Sequence, residues 1–98
     1  MVWYEVTLHL EGVSASALVD YMRRDHIPEI WATGCFRRIR FDQASAMQFR
    51  TCYCAETQAD LDRYLRDHAA GIRANFASRF SEGVAFTREV WITQQTWP

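Results

Sequence analysis

The first ten residues alternate strictly between two kinds of side chain, and this pattern constrains the fold more than any other feature of the chain. Val2, Tyr4, Val6, Leu8 and Leu10 are apolar or aromatic. The residues between them are Trp3, Glu5, Thr7 and His9. A period of two predicts a β-strand with side chains on opposite faces. The chain must therefore fold around a sheet whose two faces differ chemically.

A helix and a hairpin are predicted to follow this strand. Ser14 or Ser16 can cap a helix that runs to about His26. Pro28 lacks an amide donor, so the helix should break there, restart as a short turn and end at Gly34. Segments 35–42 and 46–55 have the composition of two strands joined by a polar turn at 43–45.

The second half of the chain predicts one long helix and a last strand. Thr57 and Asp60 form a capping-box pattern. The helical stripe that follows comprises Leu61, Tyr64, Leu65, His68, Ile72, Phe76 and Phe80. Gly71 should weaken the helix midway, and residues 84–92 alternate again. The order βαββαβ predicts an α+β, ferredoxin-like domain over residues 1–98, with a polar tail at 93–98 and two main helices on one face of a four-stranded antiparallel sheet.

Composition excludes several classes of protein. The formal net charge is −1, which provides no general field for holding nucleic acid or an anionic membrane. No stretch of eighteen apolar residues occurs, and the amino terminus lacks the basic region of a secretion signal. Cys35, Cys52 and Cys54 are an odd set with no four-ligand spacing, so we expect reduced thiols, no bound metal, no cofactor and a cytoplasmic location.

The two sheet faces are predicted to have different roles. The face under the helices should hold the core: Val2, Tyr4, Val6, Leu8, Ile39, Phe41, Met47, Phe49, Val84, Val90 and Ile92. The opposite, open face should carry Trp3, Glu5, Thr7, His9, Phe36, Arg38, Arg40, Gln48, Arg50, Cys52, Cys54, Thr87, Glu89 and Trp91. Because an open face so rich in aromatic side chains is unusual for a monomer, we predict a homodimer in which two such faces meet.

Several open-face residues are candidates for a site. Glu5, Arg50 and Glu89 should lie on adjacent strands, where they can act as catalytic groups or form an interface salt bridge. Arg38 and Arg40 should lie on an edge strand, where they protect the edge or bind an anion. The candidate ligand-binding residues are Trp3, His9, Arg38, Arg50, Trp91 and Arg73.

Two histidines lie on the helices. His26, close to Glu29 at a helix end, can transfer protons, but its position favours a capping role in which it bonds the last helical carbonyls. His68 falls on the apolar stripe, which favours a structural role. None of the familiar enzyme motifs occurs, and strand 46–55 lacks the features of an RNA-binding strand.

The segments from His26 to Glu29 and from Ala32 to Phe36 resemble the bacterial domain-of-unknown-function family 4286. The resemblance continues through Asp60-Leu61, Tyr64-Leu65, His68-Ala69, Arg73, Arg79-Phe80 and Val84-Ala85-Phe86. The chain departs from it at Phe76, where a histidine is expected, and in a shorter turn after the second strand. The positions that match the family motif are His26, Glu29, Tyr64, His68, Arg73 and Arg79.

That family resembles the dimeric α/β-barrel proteins, which implies a dimer but no particular reaction. Three hypotheses follow. The chain is a homodimer that binds a small molecule between its sheets, a cofactor-independent monooxygenase or isomerase, or an interaction module that uses the tail residue Trp97.

Overall fold

In the computed structural model, which describes all residues from 1 to 98, one four-stranded antiparallel sheet carries every helix on one face. The strands are β1 (Val2–Leu10), β2 (Arg38–Ser45), β3 (Gln48–Ala55) and β4 (Val84–Ile92), in the spatial order β2-β3-β1-β4. This is the ferredoxin-like α+β arrangement that the sequence predicts. β1 and β3 are central, so their inward side chains form the floor of the core.

The inward face matches the predicted alternation on the central strands. Leu8 and Phe49 lie opposite each other and are almost completely buried. Tyr4 and Tyr53 are paired in the same way, with ring centroids 5.8 Å apart. Burying side chains of this size contributes about 1.5–3 kcal/mol each, so these pairs dominate the stability of the sheet.

The predicted core was wrong at three positions. Met47, Val90 and Ile92 are 43%, 48% and 60% exposed. Met47 lies in the hairpin turn, while Val90 and Ile92 occupy the end of an edge strand beyond the cover of the helices. Phe36 was assigned to the open face, but it precedes β2 and packs among the helix-side rings, 5.0 Å from the centroid of Tyr64.

The first helical segment changes its pitch where a break was predicted. Helix α1 (Ala15–Tyr21) continues into a π-helical turn (Met22–His26), and helix α2 (Ile27–Trp31) follows directly. The amide of Ile27 donates to the carbonyl of Met22, five residues back. Pro28 falls in the first turn of α2, where a missing amide costs little. The chain therefore widens at this point rather than stopping.

The second helical segment is interrupted earlier than Gly71 predicted. Helix α3 (Gln58–Asp67) ends at His68, whose backbone leaves the helical region at φ −126°, and helix α4 (Ala69–Arg79) begins immediately afterwards. The N-cap at Thr57 is confirmed, since its hydroxyl accepts from the Asp60 amide at 3.2 Å, but the capping box is incomplete, because the Asp60 carboxylate accepts from that hydroxyl at 3.1 Å and not from the Thr57 amide. The strand bounds also shift, because the hairpin turn is Ala46–Met47 and a bulge between Gln43 and Ser45 lengthens β2.

The structure decides which serine caps α1. The Ser14 hydroxyl accepts a hydrogen bond from the amide of Ala17 at 3.3 Å, whereas Ser16 lies inside the first turn. We expect Ser14→Ala to lower the free energy of unfolding by about 1 kcal/mol, because a helix amide loses its partner. Ser16→Ala is the matched control and should change it by less than about 0.5 kcal/mol. Urea denaturation measures both, and equal effects would contradict the assignment.

Candidate active site

A cavity of about 220 Å³ lies between the inward face of the sheet and the helices. Its floor comes from β1 and β3, its roof from the π-helical turn, α2, α3 and α4, and its side from the loop after α4 and from β4. Thirteen of its nineteen lining residues are hydrophobic. The other six are His26, Thr51, Arg73, Ser81, Glu82 and Arg88. Three of the hydrophobic residues, Tyr4, Tyr53 and Tyr64, also carry hydroxyl groups. An apolar cavity with a few polar groups is the usual form of a small-molecule site.

His26 is the one imidazole in this lining. The π-helical turn places its ring against Phe76, edge to face at 5.3 Å, and beside Tyr21 at 6.0 Å. Its Nδ1 is buried and has no hydrogen-bond partner, so the predicted role of bonding helix carbonyls was wrong. Burial lowers the pKa of His26 to about 4, which leaves a neutral imidazole at pH 7.

A hydrogen bond between helix α4 and strand β1 lies at the edge of the cavity. The Arg73 guanidinium donates to the hydroxyl of Tyr4 at 3.1 Å. Burial raises the pKa values of Tyr53 and Tyr64, so both phenols stay protonated at neutral pH. Arg88 reaches the same cavity from β4, with its guanidinium carbon 5.1 Å from the centroid of the Phe86 ring.

The open face of the sheet carries a separate charge network. Arg50 contacts Asp42 at 3.0 Å and Glu5 at 3.6 Å, and Arg40 contacts Asp42 at 2.9 Å. The hydrogen bond from Arg40 lowers the pKa of Asp42, while burial raises the pKa of the Cys52 thiol beneath the network. These charges largely satisfy one another, which is the pattern of a structural network.

The remaining sequence candidates divide between the two sides of the sheet. On the open face, Trp3 lies opposite Trp91 in the register, and His9 is exposed. Arg38 lies on the same face, on the edge strand β2. Glu89 lies opposite Glu5 but joins no ion pair. The sequence candidates on the open face are Trp3, Glu5, His9, Arg38, Arg50, Glu89 and Trp91. Among the predicted site and family-motif residues, His26, Tyr64 and Arg73 line the cavity.

Glu29 lies outside the cavity, although it belongs to the same helical layer. Its carboxylate accepts a hydrogen bond from Asn75 at 2.8 Å and lines a shallow groove together with His68. Tyr4, Thr51, Glu82 and Arg88 are cavity residues that were not predicted. The sequence pattern could have indicated Arg88, because it occupies an inward position of β4 where the alternation predicts an apolar side chain.

The family model for DUF4286, a domain of unknown function, matches residues 1–93. The chain belongs to this family. No curated protein matches the sequence.

Solved structures share its fold at low sequence identity. SnoaB, a cofactor-independent oxygenase from Streptomyces nogalater solved as a mutant, superimposes with a TM-score of 0.76 at 12% identity and covers 99% of this chain and 96% of its own. A putative antibiotic biosynthesis monooxygenase from Deinococcus radiodurans gives 0.74 at 10% identity, covering 100% and 97%. An EthD-family protein from Bacillus halodurans gives 0.73 at 11% identity, covering 96% and 100%. Similarity at this level shows the fold alone.

Because His26 is buried and neutral, it makes the stability of the protein depend on pH. The unfolded chain binds a proton near pH 6.5 and the folded chain only near pH 4, so the folded state loses stability as the pH falls through this window. We expect His26→Phe to remove about 2 kcal/mol of that loss between pH 7 and pH 4.5. Exposed His9 gives the control variant His9→Asn, which should retain the wild-type dependence. Chemical denaturation at the two pH values measures it, and parallel curves for wild type and His26→Phe would contradict the burial of a neutral imidazole.

Proposed function

We propose that this protein binds a small, largely apolar molecule in the cavity between its sheet and its helices. The observation that carries the proposal is the cavity itself, which is predominantly apolar and is lined by the neutral imidazole of His26. Native interiors are packed to high density, and buried polar atoms nearly always have partners. A fold that leaves a void of this size between its sheet and its helices therefore supports a ligand there.

The size of the cavity limits the ligand. An apolar cavity of about 150 Å³ is large enough for benzene. The volume here, about 220 Å³, therefore suits a molecule with one ring and a short substituent. The predicted site between the two sheets is a separate proposal, since it needs a second chain to enclose it.

A bulky side chain at the edge of the cavity should block this ligand. Ala77 lines the cavity from α4, whereas Ala74 lies on the same helix, is exposed and does not line it. We expect Ala77→Trp to abolish binding of single-ring fragments, measured by saturation-transfer NMR against a small library of phenols and aromatic acids and amides. Ala74→Trp should bind as wild type does. If no fragment binds the wild-type protein, or if both variants bind equally, the cavity is not a ligand site.

A second candidate function is catalysis without a cofactor. His26 is the candidate base, because it is the imidazole that lines the cavity, and its pKa of about 4 makes it a weak one. The likeness to a cofactor-independent oxygenase supports the same reaction class. Oxygen consumption or isomerisation of a bound fragment, lost in His26→Phe while binding persists, is the expected result. Retained turnover in that variant would exclude His26 as the base.

We further propose that the chain forms a homodimer through its open sheet face. Trp91 is 55% exposed on that face, beside the half-buried Trp3. Arg50 is already paired with Asp42 and Glu5 within one chain, which lowers the cost of covering these charges, whereas Glu89 has no partner in its own chain. The three free, buried thiols also suit a reducing, cytoplasmic environment.

The dimer can be tested with two tryptophans of equal exposure. We expect Trp91→Asp to yield monomers in sedimentation velocity, because it places a carboxylate in the centre of an apolar contact. Trp31 is 53% exposed on the helical side, and Trp31→Asp should remain dimeric. A wild-type protein that sediments as a monomer would refute the interface, and a dimer that survives Trp91→Asp would place it elsewhere.

A further inference from the structure

Two exposed arginines beside the cavity form no ion pair within the chain. Ion pairs involve Arg37, Arg40, Arg50, Arg63 and Arg66. Arg73 and Arg88 form none, yet both line the cavity. Arg73 donates one hydrogen bond to the neutral phenol of Tyr4, and a guanidinium has five N–H donors. Donors that converge on one cavity without an acceptor indicate an anionic ligand.

The inward position of Arg88 on β4 supports its assignment to the cavity. It lies on β4 opposite Val6, on the inward face, with Phe86 before it and Val90 after it on the same side. Its side chain is exposed, as is that of Val90, while the rest of the cavity lining on β4 is half-buried Val84 and Phe86. Arg73 approaches the neighbouring inward position of β1, Tyr4, from above. The two guanidiniums therefore reach the same stretch of β1 from different elements.

The charge balance of the cavity selects one class of anion. Glu82 is the carboxylate in the lining, so the two arginines leave a formal charge of +1. This matches a carboxylate better than a phosphate dianion, and a planar carboxylate also fits the fork of a guanidinium.

The apolar part of the cavity defines the rest of the molecule. Phe76 meets Phe80 at 5.3 Å and Phe86 edge to face at 5.1 Å, which gives one aromatic wall. Tyr4 and Tyr64 contribute rings from another side, 6.3 Å apart. Such walls favour a ring that packs against them offset or edge-on.

Resting on the proposed ligand-binding function, we infer that the ligand is a monocyclic aromatic carboxylate. Its ring occupies the space beside Phe76 and Phe86, and its carboxylate meets Arg73 and Arg88. The neutral counterpart of such a molecule fills the same space but leaves both guanidiniums without an acceptor.

Phenylacetate and phenylacetamide, which have nearly the same shape, test this inference. We expect isothermal titration calorimetry or NMR titration to show about tenfold or tighter binding of the carboxylate, since a charge-assisted hydrogen bond is about twice as strong as a neutral one. Arg73→Gln and Arg88→Gln should each weaken phenylacetate binding far more than phenylacetamide binding and so remove that preference. Arg79→Gln is the control, because Arg79 lies on α4 but does not line the cavity.

The outcomes separate this inference from the function on which it rests. Equal binding of the acid and the amide overturns the carboxylate assignment and leaves the cavity as a ligand site. Binding of neither molecule, nor of any other fragment, overturns both. Inorganic phosphate that binds at Arg73 and Arg88 more tightly than phenylacetate overturns the choice of anion. If Arg73→Gln fails to fold because Tyr4 loses its donor, Arg88→Gln decides alone, with circular dichroism as the check on folding.

Discussion

The packing of the helices onto the inward face of β1 and β3 is the interaction on which the rest of this structure depends. Leu8, Phe49 and Thr51 are almost inaccessible to solvent beneath the helical layer, and the surrounding side chains form one continuous core. Both helical segments are broken, one by a π-helical turn and the other at His68. A layer made from such short pieces follows the twist of the sheet, but it cannot fill every gap above it. The cavity lies in the gap that remains, next to the rings of Phe76 and Phe86.

Much of this fold could be predicted from local patterns, and the failures have physical causes. The period of two in β1 and the N-cap at Thr57 depend only on neighbouring residues, and both predictions were confirmed. Val90 and Ile92 satisfied the same period yet lie exposed, because periodicity identifies a face but not how far the helices extend over it. Pro28 predicted a break, but the preceding residues could widen the helix instead. Such alternatives depend on tertiary packing, which no single segment encodes.

The candidate site was harder to predict than the fold. The sequence predicted a site on the open face, with Trp3, Glu5 and Arg50 among its residues, because exposed aromatic and charged residues often mark a function. The cavity instead combines residues that look like ordinary core, such as Tyr4 and Tyr64, with His26 and Arg73. A buried tyrosine is consistent with core packing in any sequence. Only the three-dimensional structure shows that these rings line a void as well as packing against one another.

The π-helical turn at Met22–His26 has a consequence for how this site can vary among related chains. Such a turn is equivalent to an α-helix with one extra residue, and each residue of an α-helix advances by about 100° around the axis. Losing that residue would rotate everything that follows, including the imidazole, by about a quarter of a circle. The identity of the side chain above the cavity is thus linked to helix length as well as to substitution. A one-residue deletion in this segment would alter the chemistry of the cavity without substituting any of the residues that line it now.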